Sequence, residues 1–315
     1  MKSIESILNQ AIRQREKLSL VTNAMRLVNG SGDGLDGLLI DRYHKHLHVQ
    51  VLSEHWQKRI NEIVGVLISC LPVEYLIVKT RRGLEIKEEV FVGEEAQTTI
   101  EEHGIKFQVN LNDNLNCGLF LDMRHNRLMV RQASDQKKVL NCFSYTCSFG
   151  AYARLGGARE VINTDISRKI LECGKNNYRL NDLFVSENEF IKADSLFFLQ
   201  RAFKKKNTFD MIILDPPSFA RHDTKVFQVK RDLPELIALA VAVLNPGGVL
   251  LVTTNYSEIT YADLEQMLSS AVKCCRVEHI ERRVGHVQRL GQDADFVASN
   301  SFKESYLAGL WVKFL

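Results

Sequence analysis

Residues 137–165, KKVLNCFSYTCSFGAYARLGGAREVINTD, decide the fold that the sequence predicts. The apolar run KKVLNCF predicts a strand, SFGAYARLG predicts a helix that ends at Gly156–Gly157, and EVINTD predicts the next strand. A strand, a helix and a second strand in this order are typical of a parallel pair. We therefore expect the chain to contain an α/β fold.

The same alternation continues towards the C-terminus. Predicted strands end at Asp194, Asp215 and Asn255, and predicted helices separate them. The strands are EFIKAD, FDMIILD and VLLVTTN, and the helices are SRKILECGKNNYRLN, SLFFLQRAFKKK, DLPELIALAVAVL and ITYADLEQMLSSAVKCC, with PGG as a turn. The pattern predicts a parallel sheet covered by helices on both faces, in which ligands bind beyond the carboxyl ends of the strands.

The first 136 residues have a different organisation. The sequence predicts an N-terminal amphipathic helix over 1–22 and a small α/β domain over 23–100. Residues 101–136 are predicted to form a hairpin, in which KFQVNL and CGLFLD flank the turn NDNLN, followed by the connecting basic helix MRHNRLMVRQA. Residues 137–315 form the last predicted domain.

The composition is that of a globular protein of 315 residues with a net charge of +3. No apolar run reaches the roughly 18 residues that cross a membrane, so we expect no membrane partner. The seven cysteines are odd in number and form no CxxC pair, which disfavours a disulfide framework and a structural metal site. We expect reduced thiols, a cytoplasmic protein and no bound metal.

Three of the predicted parallel strands end in an acid. Asp165 could accept hydrogen bonds from both ribose hydroxyls of a nucleotide, or it could cap the next helix. Asp194 could accept from an adenine amino group, or it could be an N-cap. Asp215, within IILDPPSF, is the third acid. An adenosine ligand that crosses the sheet edge would meet all three in order, which favours a binding site over three independent caps.

The chain carries the motifs of a known enzyme family. They are RLVNGSGDGLDGLLIDRY, IEEHGIKFQVNL, GLFLDMRHNR, VLNCFSYTCSFG, VINTDISRKILECGKNNYRLN, DPPSF and LAVAVLNPGGVLLVTTN. Together they cover about residues 22–315 and resemble the S-adenosylmethionine-dependent methyltransferases of bacterial 23S ribosomal RNA, the I, K and O types. The K type, which methylates N7 of guanine, is the nearest in motif, because FQVKRD (Phe227–Asp232) has its FxVxRD spacing.

The resemblance implies a fold, a cofactor and a set of site residues. The fold is a Rossmann-like class I methyltransferase domain over 137–315, with an antiparallel C-terminal edge strand, and the small domain over 23–100 recognises RNA. The cofactor is S-adenosylmethionine, and the partner is ribosomal RNA. Expected cofactor contacts are Phe120, Asp122, Arg124, Phe143, Ser144, Tyr145, Thr146, Asp165, Ile166, Asp194, Ser195 and Asp215. Expected catalytic residues, which border the methyl group and the target base, are Asp215, Pro216, Pro217 and Asn255. Expected RNA contacts are Lys79, Arg81, Arg82, Arg127, Lys230 and Arg231.

The strand ends also bear on which atom is methylated. Methylation of cytosine C5 uses a cysteine thiolate that attacks carbon 6 of the base. The positions beside the target base hold Ser218 and Asn255 instead, which disfavours that reaction. N7 of guanine already carries a lone pair and needs only alignment with the methyl group and the sulfur. We expect a ring nitrogen, with guanine N7 as the first choice and cytosine C5 as the alternative.

Two departures from the family pattern keep other functions open. Related proteins have glycine where this chain has Cys147, and a larger side chain there would narrow the cofactor turn. A catalytically silent protein that binds the cofactor or RNA is therefore an alternative. The I and O types begin with an RNA-binding PUA domain, which is expected to be missing because only a helix precedes Thr22. A small-molecule or protein substrate and a homodimer are further open alternatives.

Overall fold

The computed structural model describes residues 3–83, 85–113, 116–222, 225–277, 284–290 and 307–315. Contacts divide the chain into two compact units, Met1–Arg124 with Gln292–Glu304, and His125–Gly291 with Ser305–Leu315. The division between Arg124 and His125 falls inside the predicted segment 101–136. The predicted boundary at 136/137 therefore lies within the second unit.

The first unit is built around a five-stranded sheet and a helical layer. Its helices are α1 (Ile4–Gln14), α2 (Glu54–Gln57) and α3 (Ile60–Cys70), and its strands are β1 (Ala24–Asn29), β2 (Leu38–Tyr43), β3 (His46–Val51), β4 (Tyr75–Arg82), β5 (Glu85–Val92), β6 (Gln97–Glu102) and β7 (Ile105–Asn110). The sheet order is β1-β2-β3-β4-β5, and only the β3–β4 pair, which α2 and α3 connect, is parallel. Leu8 of α1, Val49 of β3 and Leu67 of α3 lie in one buried core.

The predicted hairpin of the first unit has a different partner strand. β7 pairs with β6, which precedes it, and the turn between them is His103–Gly104. Both turn residues have positive φ, 52° and 77°, as a two-residue hairpin turn requires. The expectation that CGLFLD is the second strand was wrong, because Leu121–Met123 is a 3-10 helix. Residues 114–115 of the predicted turn lie outside the described residues.

The second unit contains a seven-stranded sheet between helices. Its helices are α4 (Arg124–Ala133), whose first residue still belongs to the first unit, α5 (Ser148–Leu155), α6 (Arg168–Leu180), α7 (Ser195–Lys204), α8 (Val229–Val243) and α9 (Tyr261–Val277). Its strands are β8 (Lys138–Cys142), β9 (Glu160–Asp165), β10 (Phe190–Lys192), β11 (Phe209–Leu214), β12 (Phe219–His222), β13 (Lys225–Gln228), β14 (Leu244–Thr254), β15 (Val284–Leu290) and β16 (Ala308–Phe314). The sheet order is β10-β9-β8-β11-β14-β16-β15, and β12 and β13 form a separate antiparallel ribbon.

The centre of this sheet is apolar and parallel, as predicted. Ile212 of β11 pairs with Leu140 of β8 on one side and with Leu250 of β14 on the other. All three side chains belong to the buried core that α8 and α9 also line. Because β8 to β11 and β14 run in one direction, their carboxyl ends share one edge of the sheet. That edge carries the polar residues that the sequence singled out.

The C-terminal part of the sheet differs from the prediction in two details. β16 is antiparallel to β14, as expected, but it is not the edge strand, because β15 pairs with its other side. β15 is mostly exposed and lacks the apolar pattern that predicts a strand. The PGG segment, predicted to be a turn, lies inside β14. Gly247 has a φ of 72° there, and the register of the pairing with β11 shifts between Phe209 and Met211. The segment is therefore a bulge within the strand. No helix within the described residues has the length and apolarity to span a membrane.

Candidate active site

The turn that follows β8 has an unusual backbone. Phe143, Tyr145 and Cys147 have φ angles of 53°, 48° and 58°, a left-handed conformation that costs a non-glycine residue about 1 kcal/mol or more. Hydrogen bonds hold this conformation in place. The N–H of Ser144 donates to the carbonyl of Thr164 over 2.9 Å, which ties the turn to β9. Strain of this kind is common at ligand sites, where surrounding contacts fix the chain in one shape.

Asp165 connects the ends of β8 and β9. Its Oδ2 accepts from the N–H of Tyr145 at 3.0 Å, and its Oδ1 accepts from the N–H of Ser167 at 2.9 Å. The alternative in which Asp165 caps α6 was wrong, because Ser167 is the N-cap and accepts from the N–H of Ile170. Burial raises the pKa of the Asp165 carboxyl, and the backbone N–H donors oppose that rise. Each carboxylate oxygen keeps a lone pair that can accept from a ligand hydroxyl.

Asp194 and Ser195 hold the start of α7. Asp194 is exposed and caps the helix by accepting from the N–H of Phe197 at 2.9 Å, so the capping alternative is confirmed. Ser195 is buried, and its hydroxyl accepts from the N–H of Phe143 at 3.2 Å. The side chains of Ser144 and Thr146 are buried as well. These three hydroxyls therefore support the turn from inside the protein, whereas Phe143, Tyr145, Asp165 and Ile166 are half-buried.

Asp215 and the two prolines form the lip of the sheet beyond β11. The hydroxyl of Thr253 in β14 donates to Oδ1 of Asp215 at 2.6 Å. Pro216 is buried and Pro217 is exposed. The first proline therefore packs against the protein interior, and the second faces solvent at the edge of the sheet. Because proline fixes φ and restricts the residue before it, the backbone here has few alternatives.

Ser218 and Asn255 meet at the same edge. The hydroxyl of Ser218 donates to Oδ1 of Asn255 at 2.8 Å, which joins the ends of the β11 and β14 segments. Asn255 is exposed. Phe219, the next residue along the chain, is a large apolar side chain that is 54% exposed. The sequence motif contained Phe219, but the alternation that marks strands could not show that the ring faces outward.

Two predicted basic contacts are buried and cannot reach RNA phosphates. Lys79 is 1% exposed, donates to the carbonyl of Asp113 at 2.9 Å and pairs with Glu88 at 3.1 Å. Arg127 is 1% exposed and lies over the ring of Tyr152, 6.0 Å from its centroid. The prediction of RNA contacts was wrong for both residues, because a buried cation is committed to partners inside the protein.

The other predicted residues differ in their accessibility. Arg81, Lys230 and Arg231 are exposed. Lys230 pairs with Glu258 at 2.9 Å, and Arg231 pairs with the adjacent Asp232. The side chain of Arg82 lies outside what the structure describes.

Three predicted cofactor residues belong to the first unit. Phe120 and Asp122 are partly exposed, and Arg124 is buried. The guanidinium of Arg124 donates to the carbonyl of Ala24 at 2.9 Å and pairs with Glu102 at 3.4 Å. These contacts fix Arg124 within its own unit, which is a structural role that the motif did not reveal.

A buried chain of polar side chains lies beneath the turn, and the sequence motifs did not indicate it. Asn141 donates to Asn163 at 2.9 Å, and Asn163 donates to the hydroxyl of Tyr178 at 3.1 Å. A Cβ on Gly150 would lie 2.2 Å from Oδ1 of Asn163, so only glycine fits there. The available signal was a pair of asparagines inside apolar strands, since buried polar groups need partners.

Cys147 is accommodated by a glycine on the next helix. The thiol is fully buried, and a Cβ on Gly174 of α6 would lie 2.3 Å from its Sγ. Burial raises the pKa of the Cys147 thiol far above its usual value, so it is not a nucleophile. The side chain fills the space that Gly174 leaves and lies under the turn.

Comparisons with known proteins agree with this geometry. A sequence profile of a family described as S-adenosylmethionine-dependent methyltransferase matches residues 68–290. The chain belongs to the S-adenosylmethionine-dependent methyltransferases. Two curated relatives are called ribosomal RNA large subunit methyltransferase I. The one from Photobacterium profundum is 33% identical over 90% of this chain and 72% of its own length, and the one from Vibrio campbellii is 34% identical over 98% and 78%.

A similar protein structure has been solved with SAH, the product form of S-adenosylmethionine, bound to it. It is described as a methyltransferase complexed with SAH, superposes with a TM-score of 0.86 and is 27% identical over 98% of this chain and 80% of its own. S-adenosylmethionine is the cofactor, and the predicted Rossmann-like fold is confirmed. The residues present fit that group, because the Asp165 carboxylate next to a strained turn offers acceptors for the two ribose hydroxyls. Both curated relatives carry the name of the I type, so the nearness to the K type stays a prediction.

Proposed function

We propose that this methyltransferase methylates a base nitrogen of 23S ribosomal RNA, with N7 of guanine as the target atom. The observation that supports a nitrogen target is the pair of side chains at the edge where the base would lie. There the hydroxyl of Ser218 and the amide of Asn255 meet in a hydrogen bond of 2.8 Å, and neither residue has the thiol that methylation of a cytosine carbon uses. Ribosomal RNA as the substrate follows from the names of relatives that are 33–34% identical along nearly the whole chain.

The two cysteines near this edge of the sheet, Cys142 and Cys147, do not support thiol chemistry there. Cys142, at the end of β8, is fully buried, and burial raises the pKa of its thiol to about 12. Cys147 is also fully buried beneath the cofactor turn. A thiolate is the attacking species in cytosine C5 methylation, and neither group forms one near neutral pH. A nitrogen that already carries a lone pair needs no such nucleophile.

The chain's own residues then have three tasks. Bound S-adenosylmethionine supplies an electrophilic methyl group on a sulfonium sulfur. Asp165 and the turn at 143–147 hold the ribose and methionine portions. Asp194 caps α7 through Oδ1 and would accept from the adenine amino group through Oδ2. Asp215, Pro216 and Pro217 form a rigid lip that aligns the base nitrogen with the methyl group. N7 of guanine loses no proton on methylation, so the site needs no general base.

The exposed ring of Phe219 could stack on the target base. Its exposed ring follows Ser218 directly, and aromatic faces stack on unpaired bases with about 1–3 kcal/mol per base. A base held in this way would be taken from a loop or flipped out of a duplex. Arg81, Lys230 and Arg231 are exposed cations that would contact phosphates in the proposed complex.

The test is methyl transfer to unmodified 23S transcripts made with guanosine or with 7-deazaguanosine, which has carbon in place of N7. We expect labelled methyl transfer to the first transcript, with 7-methylguanosine as the product by mass spectrometry, and none to the second. A transcript with 7-deazaadenosine is the matched control and should be methylated normally. Formation of 5-methylcytidine would overturn the nitrogen assignment. Cofactor binding without transfer to any ribosomal RNA would favour a catalytically silent protein.

A further inference from the structure

A ring contact joins the β12–β13 ribbon to the cofactor turn at 143–147. The ring of Phe227 in β13 lies 5.4 Å from the ring of Phe143, centroid to centroid, and the two planes are tilted by 49°. This separation is ordinary for aromatic pairs, whose attraction exceeds what the burial of their area supplies. Both rings are half-buried and pack on the core of the second unit. The ribbon therefore contacts the cofactor turn through Phe227.

The register of the ribbon directs Phe227 towards the turn. Phe227 pairs with Ala220, and the next pair is Gln228 with Phe219. Because opposed residues of an antiparallel pair share a face and successive residues alternate between faces, these two pairs project in opposite directions. Ala220 is half-buried like Phe227, whereas Gln228 and Phe219 are exposed. One face of the ribbon thus packs against the protein, and the other is open to solvent.

The position of the Phe143 ring is set by the backbone of the turn. Phe143 has a left-handed φ of 53°, and its N–H donates to Oγ of Ser195 at 3.2 Å. The N–H of the next residue, Ser144, donates to the carbonyl of Thr164 at 2.9 Å. A ligand that fixes this turn therefore also fixes the ring against which Phe227 packs.

The residues that follow Phe227 attach the ribbon to the lip and to α8. The N–H of Val229 donates to the carbonyl of Ser218 at 3.2 Å, which joins the end of β13 to the residue after the two prolines of the lip. The N–H of Gln228 donates to Oδ2 of Asp232 at 2.8 Å, which ties the same end to the first turn of α8. These bonds fix the backbone next to Phe227, so the position of its ring and that of the lip are linked.

We propose that Phe227 is a positioning residue for methyl transfer, whose ring couples the cofactor turn to the lip that borders the target base. The nucleophile, the methyl group and the sulfur must lie in line at a near-attack distance, and a displacement of about 1 Å can cost on the order of 100-fold in rate. Phe227 acts through Phe143 and through the ribbon and is not a catalytic residue. The inference rests on the proposed function for its RNA substrate and is independent of which atom of the base is methylated.

Removal of the ring should lower turnover and largely spare cofactor binding. We expect Phe227→Ala to lower kcat on the 23S transcript by about tenfold, because the lip is no longer held over the cofactor turn. SAH affinity in calorimetry should change by no more than about threefold, because hydrogen bonds to β9 and α7 hold the turn without this ring. Phe227→Tyr keeps the ring and should recover most of the lost kcat.

A ring elsewhere on the same core provides the matched control. Phe198 of α7 is also half-buried and packs on the core of this unit. Phe198→Ala and Phe227→Ala should lose similar stability in urea unfolding, whereas only Phe227→Ala should lose kcat. Equal kcat in the two variants, whether lowered or not, would give Phe227 a merely structural role and overturn the proposal.

A double-mutant cycle tests whether the two rings act together. Phe143→Ala should itself lower kcat, because its ring belongs to the cofactor turn. In that background Phe227 has no ring to pack against, so the addition of Phe227→Ala should lower kcat by less than about twofold. A further loss of about tenfold would show that Phe227 acts independently of Phe143 and would contradict the proposal.

Hydrogen exchange of the ribbon amides gives a readout that needs no RNA. SAH fixes the turn, so it should slow exchange in β12 and β13 of the wild type by about two- to threefold and leave exchange in Phe227→Ala unchanged. Equal slowing in both proteins would overturn the proposal.

The two readouts separate this inference from the proposed function. If the wild type transferred methyl to no RNA while SAH slowed exchange only in proteins that keep the ring, the proposed function would fail and the link between ribbon and cofactor turn would stand. Methylation of 23S transcripts by Phe227→Ala at the wild-type rate would keep the function and overturn the inference.

Discussion

The backbone N–H of Tyr145 donates to Oδ2 of Asp165 at 3.0 Å, which joins the turn after β8 to the end of β9. The same carboxylate accepts from the N–H of Ser167 through its other oxygen. Asp165 thus shapes the strained turn at 143–147 and still faces the ligand edge of the sheet. A single acid thus joins two strand ends of this methyltransferase at the edge where we propose that the cofactor binds.

Replacing Asp165 should weaken cofactor binding. Asp165→Ala removes an acceptor for the ribose hydroxyls and one anchor of the turn, so we expect SAH affinity to fall on the order of 10- to 100-fold. Isothermal titration calorimetry measures it. Glu160→Ala is the matched control, because Glu160 begins the same strand at the opposite edge of the sheet. Equal SAH affinity in the wild type and Asp165→Ala would contradict the ribose assignment.

The pKa of Asp165 gives a pH dependence of binding. Burial raises this pKa, so the carboxyl takes up a proton at a higher pH than an ordinary aspartate. A raised folded-state pKa contributes stability to the free protein that is fully present below the unfolded-state pKa and lost as the pH rises through the folded one. Ribose binding needs the ionised acceptor, so SAH affinity should fall as the pH is lowered through the raised pKa. Asp165→Asn should show no such fall in calorimetry, and a parallel fall in both proteins would assign the dependence to another group.

Cys147 and Gly174 should be energetically coupled. Gly174→Ala places a Cβ 2.3 Å from Sγ of Cys147 and 2.9 Å from its Cβ, so we expect a loss of about 1–3 kcal/mol in the free energy of unfolding. In the Cys147→Gly background both close contacts disappear, and the nearest remaining atom, the carbonyl carbon of Thr146, is at 3.4 Å. Urea unfolding of the four proteins should therefore give a coupling energy above about 1 kcal/mol. Additive losses would show that the helix simply shifts away.

The buried and the exposed cations of β4 should behave differently. Lys79→Ala should lower the free energy of unfolding by about 1–3 kcal/mol, because the carbonyl of Asp113 loses its donor. It should leave the salt dependence of RNA binding unchanged. Arg81→Gln should keep the stability and reduce the slope of log K against log salt by about one. Filter binding over a range of salt concentrations checks both, and a reduced slope for Lys79→Ala would contradict its burial.

His48 should make the first unit sensitive to acid. Burial lowers the pKa of His48 to about 4, and its Nδ1 lies 3.6 Å from Sγ of Cys117. A lowered folded-state pKa contributes stability that is present above the unfolded-state value of about 6.5 and lost as the pH falls towards the folded one. The loss between these limits should reach roughly 3 kcal/mol. Trp56 fluorescence in a Trp311→Phe background reports on this unit during urea unfolding, and His48→Gln should flatten the pH profile.

Much of the second unit could be predicted because its strands and helices are distinguished by local patterns. Ile212 and Leu250 lie in apolar runs of strand length, and helices of ordinary length separate them, so the parallel order follows. β15 could not be predicted in this way, because it is exposed on most of its length and gains its place only by pairing with β16. β7 could pair with the chain before it, through the turn His103–Gly104, or with the chain after it, through the predicted turn NDNLN. It pairs with β6, which precedes it, because His103 and Gly104 adopt the left-handed conformation of a tight hairpin turn.

The sequence by itself determined the family, the cofactor and the acids at the strand ends, because these depend on residue types at fixed local spacing. Only the tertiary structure decided what each side chain does. It buried Lys79 and Arg127, made Asp194 a cap and Asp165 the anchor of a turn, and brought Ser218 to Asn255 across 37 residues of chain. Burial and hydrogen-bond partners are set by neighbours distant in sequence, and a local pattern carries no information about them.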